Sequence, residues 1–163
     1  MTRESTGGLW ICQQNVNKSL VAQSDILHQL DPNIYDIAAI QELYLNHNHN
    51  TCTNLHWYTV YPKEHYTVPY KTRSIMLVNM HMATDSWAQV NFSMSGMTVI
   101  QIQMVAGNVL IINTYNHITC ADSVSHVLQT MRAGVRATGS TVGTENMIWL
   151  GDFNRHHPAW DKA

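Results

Sequence analysis

Five residues stand out by type and by position: Asn15, Glu42, Tyr115, Asp152 and Asn154. Each follows a short apolar run, within ICQQN, AIQE, INTYN and WLGDFN. Taken together, Glu42, Asp152, Asn15 and Asn154 would form an oxygen-rich, carboxylate-poor pocket. That composition suits Mg²⁺, with Mn²⁺ as the alternative, because such ions take one or two carboxylates and keep waters for a phosphate ligand. It does not suit zinc, although the chain has 10 histidines. Taken singly, every member has an ordinary reading. An Asn after a strand forms turns, a Glu there is a solvated charge, and a Tyr packs its ring with the hydroxyl wet. Asp152 and Asn154 are the most telling pair. In an extended segment i and i+2 share a face, which would set carboxylate and amide side by side with Phe153 turned to the core.

For these residues to meet, the runs before them must be strands with a common end, where chemistry collects in α/β folds. Residues 8–14 read as a strand from their aromatic and β-branched content. The spacing predicts a helix over 18–30, with Leu20, Ile26, Leu27 and Leu30 on one face and Asp31-Pro32-Asn33 as its stop. Residues 35–40 form an apolar run that reads as a buried parallel strand. The polar stretch 43–56 reads as a loop with His47 and His49 solvated, and 62–70 reads as another. Four short strands are expected at 74–79, 88–93, 97–104 and 108–113. In the third, Ile100, Ile102 and Met104 alternate with Gln101 and Gln103. Gly107-Asn108 would supply the tight turn into the fourth. Val124, Val127, Leu128, Met131 and Val135 predict a second helix behind Asp122-Ser123 as caps, followed by a loop over 139–144. Residues 146–150 form a last strand running into Gly151-Asp152-Phe153-Asn154. The order β-α-β, several antiparallel strands, then α-β implies a mixed α/β sandwich.

Composition narrows the class. The chain has 163 residues, 45% of them hydrophobic and 12% charged, with a formal net charge of −2. One domain fits that length, and charge-driven disorder is excluded. No apolar run approaches the ~20 residues of a bilayer span, and the N-terminus has no signal-like core. Three cysteines without CxxC spacing argue against a disulfide scaffold or zinc knuckle. The near-neutral balance argues against purely electrostatic binding of nucleic acid.

The order and wording of the polar segments resemble the endonuclease/exonuclease/phosphatase (DNase I-like) superfamily. The residues that carry this are Asn15 in QQNVNKS, Gln41-Glu42, Arg73-Ser74 in KTRSIML, Tyr115-Asn116 in IINTYN, and WLGDFNRHHPAWD from Trp149 to Asp161. The His-His-Pro-x-Trp-Asp extension is similar to the endonuclease domain of non-LTR (LINE-type, fungal) retrotransposon polyproteins. The resemblance runs from about Leu9 to the end, leaving 1–8 as a tail and 9–163 as an incomplete domain. It implies a four-layered α/β sandwich, C-terminally truncated, and a Mg²⁺-dependent phosphodiester hydrolase site that nicks target DNA. On that resemblance Glu42 ligates the metal, and Asn15 positions the metal or the phosphate. Asp152 orients or deprotonates the attacking water, Asn154 holds the phosphate, and Tyr115 hydrogen-bonds the phosphate or another catalytic group, stabilising the developing charge. Arg73, Asn116, Arg155, His156 and His157 are the candidate substrate contacts. The two histidines are favoured instead as part of the turn that locks the GDFN loop over Pro158 and Trp160. The chemistry is consistent, since phosphate ester cleavage needs an in-line nucleophile and neutralised oxygen charge.

The family pattern continues into a further Asp and a Ser-Asp-His element, which the sequence to Ala163 does not contain. A second departure is Asn116-His117 where a proline often follows the tyrosine. The implied partners are DNA and, if the reading frame continues, a reverse transcriptase domain. Retrotransposition would place the protein in the nucleus, although no basic localisation cluster is present. Two other readings stand beside this one: a catalytically inactive retrotransposon relic, and a phosphatase-type member of the superfamily.

Overall fold

The computed structural model describes residues 8–91, 96–116, 129 and 146–154. Within them eight strands form two four-stranded sheets. The first sheet has the order β1-β2-β4-β3, built from β1 (Ile11–Asn15), β2 (Ile37–Gln41), β3 (Trp57–Val60) and β4 (Ser74–Asn79). The second runs β5-β6-β7-β8, from β5 (Trp87–Val90), β6 (Met97–Met104), β7 (Gly107–Tyr115) and β8 (Met147–Asp152). Each sheet has one parallel pair, β1 with β2 and β7 with β8. Both pairs end where the candidate residues lie, with Asn15 opposite Gln41 and Tyr115 opposite Asp152.

The pleat sorts each strand into two faces. Ile37, Val60, Met76 and Val78 of the first sheet meet Ile100, Ile102 and Ile111 of the second in a shared core. On the first sheet's other face, Ala38, Ile40, Ile75 and Leu77 pack on Ile26 of helix α1 (Leu20–Gln29) and on Leu30, its C-cap. Each such fully buried aliphatic side chain contributes about 1.5–3 kcal/mol over leaving it in water. The far face of the second sheet also carries buried residues, Met97, Val99, Leu110 and Ile112. Helix, sheet, sheet and this second covered face build the expected α/β sandwich. Of the helix predicted over 124–135 only residue 129 is described, and the loop over 139–144 lies outside the described residues.

Local chemistry explains the boundaries and four departures from expectation. Ser19 caps α1, its hydroxyl accepting from Ala22 N at 3.2 Å. The buried face of α1 is Gln23, Ile26 and the following Leu30, whereas Leu20 is exposed. A polar residue therefore occupies a core position that the apolar pattern assigned to leucine. Strand β3, unpredicted, is an edge strand of only four residues paired to β4. The predicted 62–70 loop contains two short 3₁₀ turns, Lys63–Tyr66 and Pro69–Lys71. The β6–β7 turn is two residues earlier than expected. Met104 pairs with Gly107, so Val105 and Ala106 make the turn, and Gly107 at φ +116° supplies the conformation that follows it.

Candidate active site

The polar site grows out of the inter-sheet core. The inward-facing rows are apolar at one end and polar at the other: Ile37-Ala39-Gln41, Val78-Met76-Ser74, Ile102-Ile100-Thr98 and Ile111-Asn113-Tyr115. Gln41, Ser74, Thr98 and Asn113 are all buried, so each needs a partner. They find one another across the sandwich. Gln41 donates to Asn113 Oδ1, and Asn113 donates to the carbonyls of Ile40 at 3.0 Å and Ile75 at 2.7 Å. Gln13 donates to Gln41 Oε1 at 2.7 Å, while Thr98 donates to the Ser74 carbonyl at 2.9 Å. This layer is a polar floor that fixes one sheet against the other.

The five residues singled out by type lie directly above it. Tyr115 donates its hydroxyl to Glu42 Oε1. Asn15 Nδ2 donates to Asp152 Oδ2 at 2.8 Å, joining the two sheets. The other Asp152 oxygen accepts from Asn154 N at 3.0 Å. Asn154 Nδ2 donates to the Asn116 carbonyl at 2.6 Å, and Asn116 Nδ2 to the Phe153 carbonyl at 3.0 Å. Asp152 and Asn154 thus converge, but not by the extended geometry expected. Asn154 has φ +43°, and the chain turns back on its own Asp152 carboxylate. Phe153 correspondingly packs edge-on against Trp149 at 6.0 Å and is only half-buried, instead of filling the inter-sheet core.

The backbone here is held in costly conformations. Asn17, Lys18, Glu42 and Asn154 have φ between +43° and +55°. Non-glycine residues adopt this region only when their surroundings impose it, and such residues gather at functional sites. Glu42 is clamped from both sides: its N–H donates to the Arg73 carbonyl at 2.7 Å, and its carbonyl accepts from Lys18 N at 2.6 Å. Gly151, φ +138°, lets β8 approach β7; a Cβ there would meet the Thr114 carbonyl at 1.9 Å.

Electrostatics set the Tyr115 proton in place. Desolvation, then the hydrogen bond and charge of Glu42, push its pKa up to about 12, while the Asn154 amide pulls the other way. At neutral pH Tyr115 is therefore a fixed neutral donor. Nearby, burial and the neighbouring His49 hold His65 below the usual histidine range. His65 stacks on Tyr61 at 3.9 Å and meets Thr72 Oγ1 at 2.8 Å.

Arg73 is beside the site, but its guanidinium donates to the Tyr70 and Thr72 carbonyls at 3.1 and 3.0 Å. Arg155, His156 and His157 lie outside the described residues. No group of three or more His, Cys, Asp or Glu side chains forms among the described residues. The donor set is thus Glu42, with Oε2 unengaged among the described residues, and neighbouring amide oxygens. A hard cation that keeps most of its waters fits such a set. No helix among the described residues is long and apolar enough to cross a membrane.

Comparison with known proteins agrees with this architecture. No family model matches the sequence, and no curated protein matches it. Among solved structures, the endonuclease domain of TRAS1, a telomere-specific non-LTR retrotransposon, superposes with a TM-score of 0.63 at 15% identity. That match covers 94% of this chain and 62% of the TRAS1 chain. D. rerio TDP2, humanized by 14 mutations, superposes with a TM-score of 0.56 at 12% identity, covering 94% of this chain and 65% of that one. The chain therefore spans under two thirds of the length of either structure. In fold, the protein is similar to both structures, a DNase I-like α/β sandwich.

Proposed function

We propose that the chain carries most of the active site of a metal-dependent phosphodiester hydrolase, and that its substrate is DNA nicked within one strand. The supporting observation is the convergence of Asn15, Glu42, Tyr115, Asp152 and Asn154, from four strand ends on two sheets, into two adjoining hydrogen-bonded sets, Tyr115 with Glu42 and Asn15 with Asp152 and Asn154, with Tyr115 opposite Asp152 in the sheet. A packed core has no need of such a group at a strained strand end.

Each residue has a task that its contacts suit. Glu42, with Oε1 occupied by Tyr115, offers Oε2 to Mg²⁺ or Mn²⁺. Such a cation, when bound, neutralises phosphate charge and stabilises the leaving oxygen. Asn15 uses Nδ2 to aim Asp152, while its Oδ1 accepts from Asn17 N at 2.8 Å and keeps the loop closed. Asp152, held through both oxygens, takes the proton of an attacking water. The Asn154 amide, with one N–H left beyond its bond to the Asn116 carbonyl, suits a phosphate oxygen as it gains charge, while the Tyr115 hydroxyl spends its one proton on Glu42 and holds that carboxylate in place. The resemblance to retrotransposon endonucleases supplies the finer reading: nicking of a target site, with a reverse transcriptase domain as partner in the parent polyprotein and the nucleus as the place of action. Residues 9–163 would then be part of a larger domain that adds a Ser-Asp-His element.

The test is nicking of supercoiled plasmid by the chain as continued in its reading frame, with Mg²⁺ and with EDTA. Asp152→Ala should cut the rate by at least about 100-fold. An inert protein, or nicking indifferent to Asp152→Ala, refutes the proposal. Release of phosphate from monoesters without plasmid nicking would assign the site to a phosphatase.

A further inference from the structure

The distribution of charge and exposed aromatic rings identifies a surface that the candidate catalytic group does not include. Among the described residues the only Lys and Arg side chains are Lys18, Lys63, Lys71 and Arg73. All four lie at the end of the sandwich that holds the site. Lys18 and Arg73 clamp the Glu42 backbone, and Lys63 and Lys71 are on the 61–73 connection that enters β4 at Ser74, opposite Gln41. The other end carries Asp31, Asp36 and Asp85 and no Lys or Arg among the described residues.

The 61–73 connection also exposes two aromatic rings. Tyr66 is 74% and Tyr70 60% exposed. They are held outward rather than loose. His65 is buried on Tyr61, and Tyr66 sits edge-on to His65 at 5.5 Å. The two 3₁₀ turns are closed by Val68 N on the Glu64 carbonyl at 2.8 Å and Thr72 N on the Pro69 carbonyl at 3.0 Å, and Arg73 ties down the Tyr70 carbonyl. Glu64, the connection's one acid, is half-buried, whereas Lys63 and Lys71 are exposed.

Exposed, pre-organised tyrosines beside lysines suit one class of ligand well. The rings stack on base faces whatever the sequence, and the ammonium groups meet the phosphates between them. Base faces are available only where a strand is unpaired. We infer that Tyr66 and Tyr70, with Lys63 and Lys71, form a stacking platform that seats an unpaired nucleic-acid strand alongside the phosphodiester presented to Glu42 and Asp152. The inference rests on the hydrolase reading for what the strand is doing there, but not for its binding.

The experiment is fluorescence anisotropy of labelled oligodeoxythymidylate and of the same strand annealed to its complement, titrated with the full chain in EDTA. The single strand should bind more tightly than the duplex. Tyr66→Ala and Tyr70→Ala should each weaken single-strand binding about 5- to 100-fold, while Tyr66→Phe and Tyr70→Phe stay within about 2-fold. Lys63→Gln and Lys71→Gln should each lower the salt slope by about one. No binding by the parent chain, tighter binding of duplex, or alanine variants within about 2-fold of the parent would overturn the platform. Because the titration needs no turnover, platform binding without plasmid nicking would refute the hydrolase reading alone. Nicking with tyrosine-independent binding would refute the platform alone.

Discussion

Replacing Asn113 with alanine tests the polar floor, and its cost follows from named contacts. Asn113 has no exposed surface and makes three hydrogen bonds: two donated to carbonyls of adjacent strands and one accepted from Gln41. Each is worth about 1 kcal/mol net, giving about 3 kcal/mol before relaxation. The Gln41 amide is then left with the Ala39 carbonyl at 3.4 Å, and a buried donor so weakly paired costs about 1–2 kcal/mol more. The expected loss is therefore about 3–5 kcal/mol, which in a chain of this size lowers Tm by about 6–20 °C. Urea unfolding followed by tryptophan fluorescence measures it. The decisive control is a double-mutant cycle with Gln41→Met and Asn113→Leu. With both partners apolar, nothing polar remains stranded, so the double variant should be less destabilised than the sum of the singles by about 1–3 kcal/mol. A loss below about 1 kcal/mol for Asn113→Ala, or strictly additive singles, would refute the claim that this pair binds the two sheets together.

Gly151→Ala should cost at least about 3 kcal/mol, because its Cβ would run into the Thr114 backbone and its φ of +138° suits only glycine. Gly107→Ala, with φ +116° but nothing within 4 Å of its Cβ, carries only the conformational penalty of about 1–2 kcal/mol; equal losses in thermal melts would show that the close approach of β7 and β8 is not what selects Gly151. Tyr115 should titrate at about 12 in an alkaline absorbance titration, and Tyr115→Phe should remove that component. Glu42→Gln should lower it only part of the way, since desolvation is the largest cause. The folded state binds this proton more tightly than the unfolded chain does. Its stabilising contribution is whole below pH 10 and fades as pH rises through about 12, so the alkaline loss of stability should be shallower in Tyr115→Phe.

Strands were legible where a continuous apolar run or a period-2 alternation was bounded by turn residues. The structure returns 74–79 and 97–104 with the expected bounds, and it pairs the strand over 37–41 in parallel with the first. Strand β3 was not legible, because WYTV offers two buried positions in four and lies at a sheet edge. Gln23 misled the helix reading for a physical reason. It is buried because it serves the loop beyond β2, accepting from Tyr44 N at 2.8 Å and donating to the Cys52 carbonyl at 2.8 Å. Such partners, more than 20 residues away, leave no trace in helical periodicity. The polar floor had a signal that went unread: each inward row changes from apolar to polar at the same end. What no single strand reveals is the pairing of Gln41 with Asn113, 72 residues apart, since stacking of the sheets sets it. The convergence of the candidate residues was legible by residue type because strand-end polar residues in apolar surroundings are few. The turn at Asn154 was not, because its left-handed backbone depends on the Asp152 carboxylate behind it.

The net charge of −2 shows how a sum can mislead about a partner. A total is indifferent to position, but a polyanion at one end of the protein is not. At physiological ionic strength charges are screened over about 8 Å. Strand β6 alone, eight residues at ~3.3 Å each, spans about 26 Å. A phosphate at the Glu42 end is therefore more than two screening lengths from Asp31, Asp36 and Asp85 and does not feel them. It meets Lys18, Lys63, Lys71 and Arg73 against Glu42, Asp152 and the half-buried Glu64. Two of those acids are the ones the proposed chemistry occupies, with a cation at Glu42 and a transferred proton at Asp152. Among the described residues the end proposed to bind substrate is thus basic in the state that would do the work, and lowering salt should tighten binding of a strand there despite the acidic total.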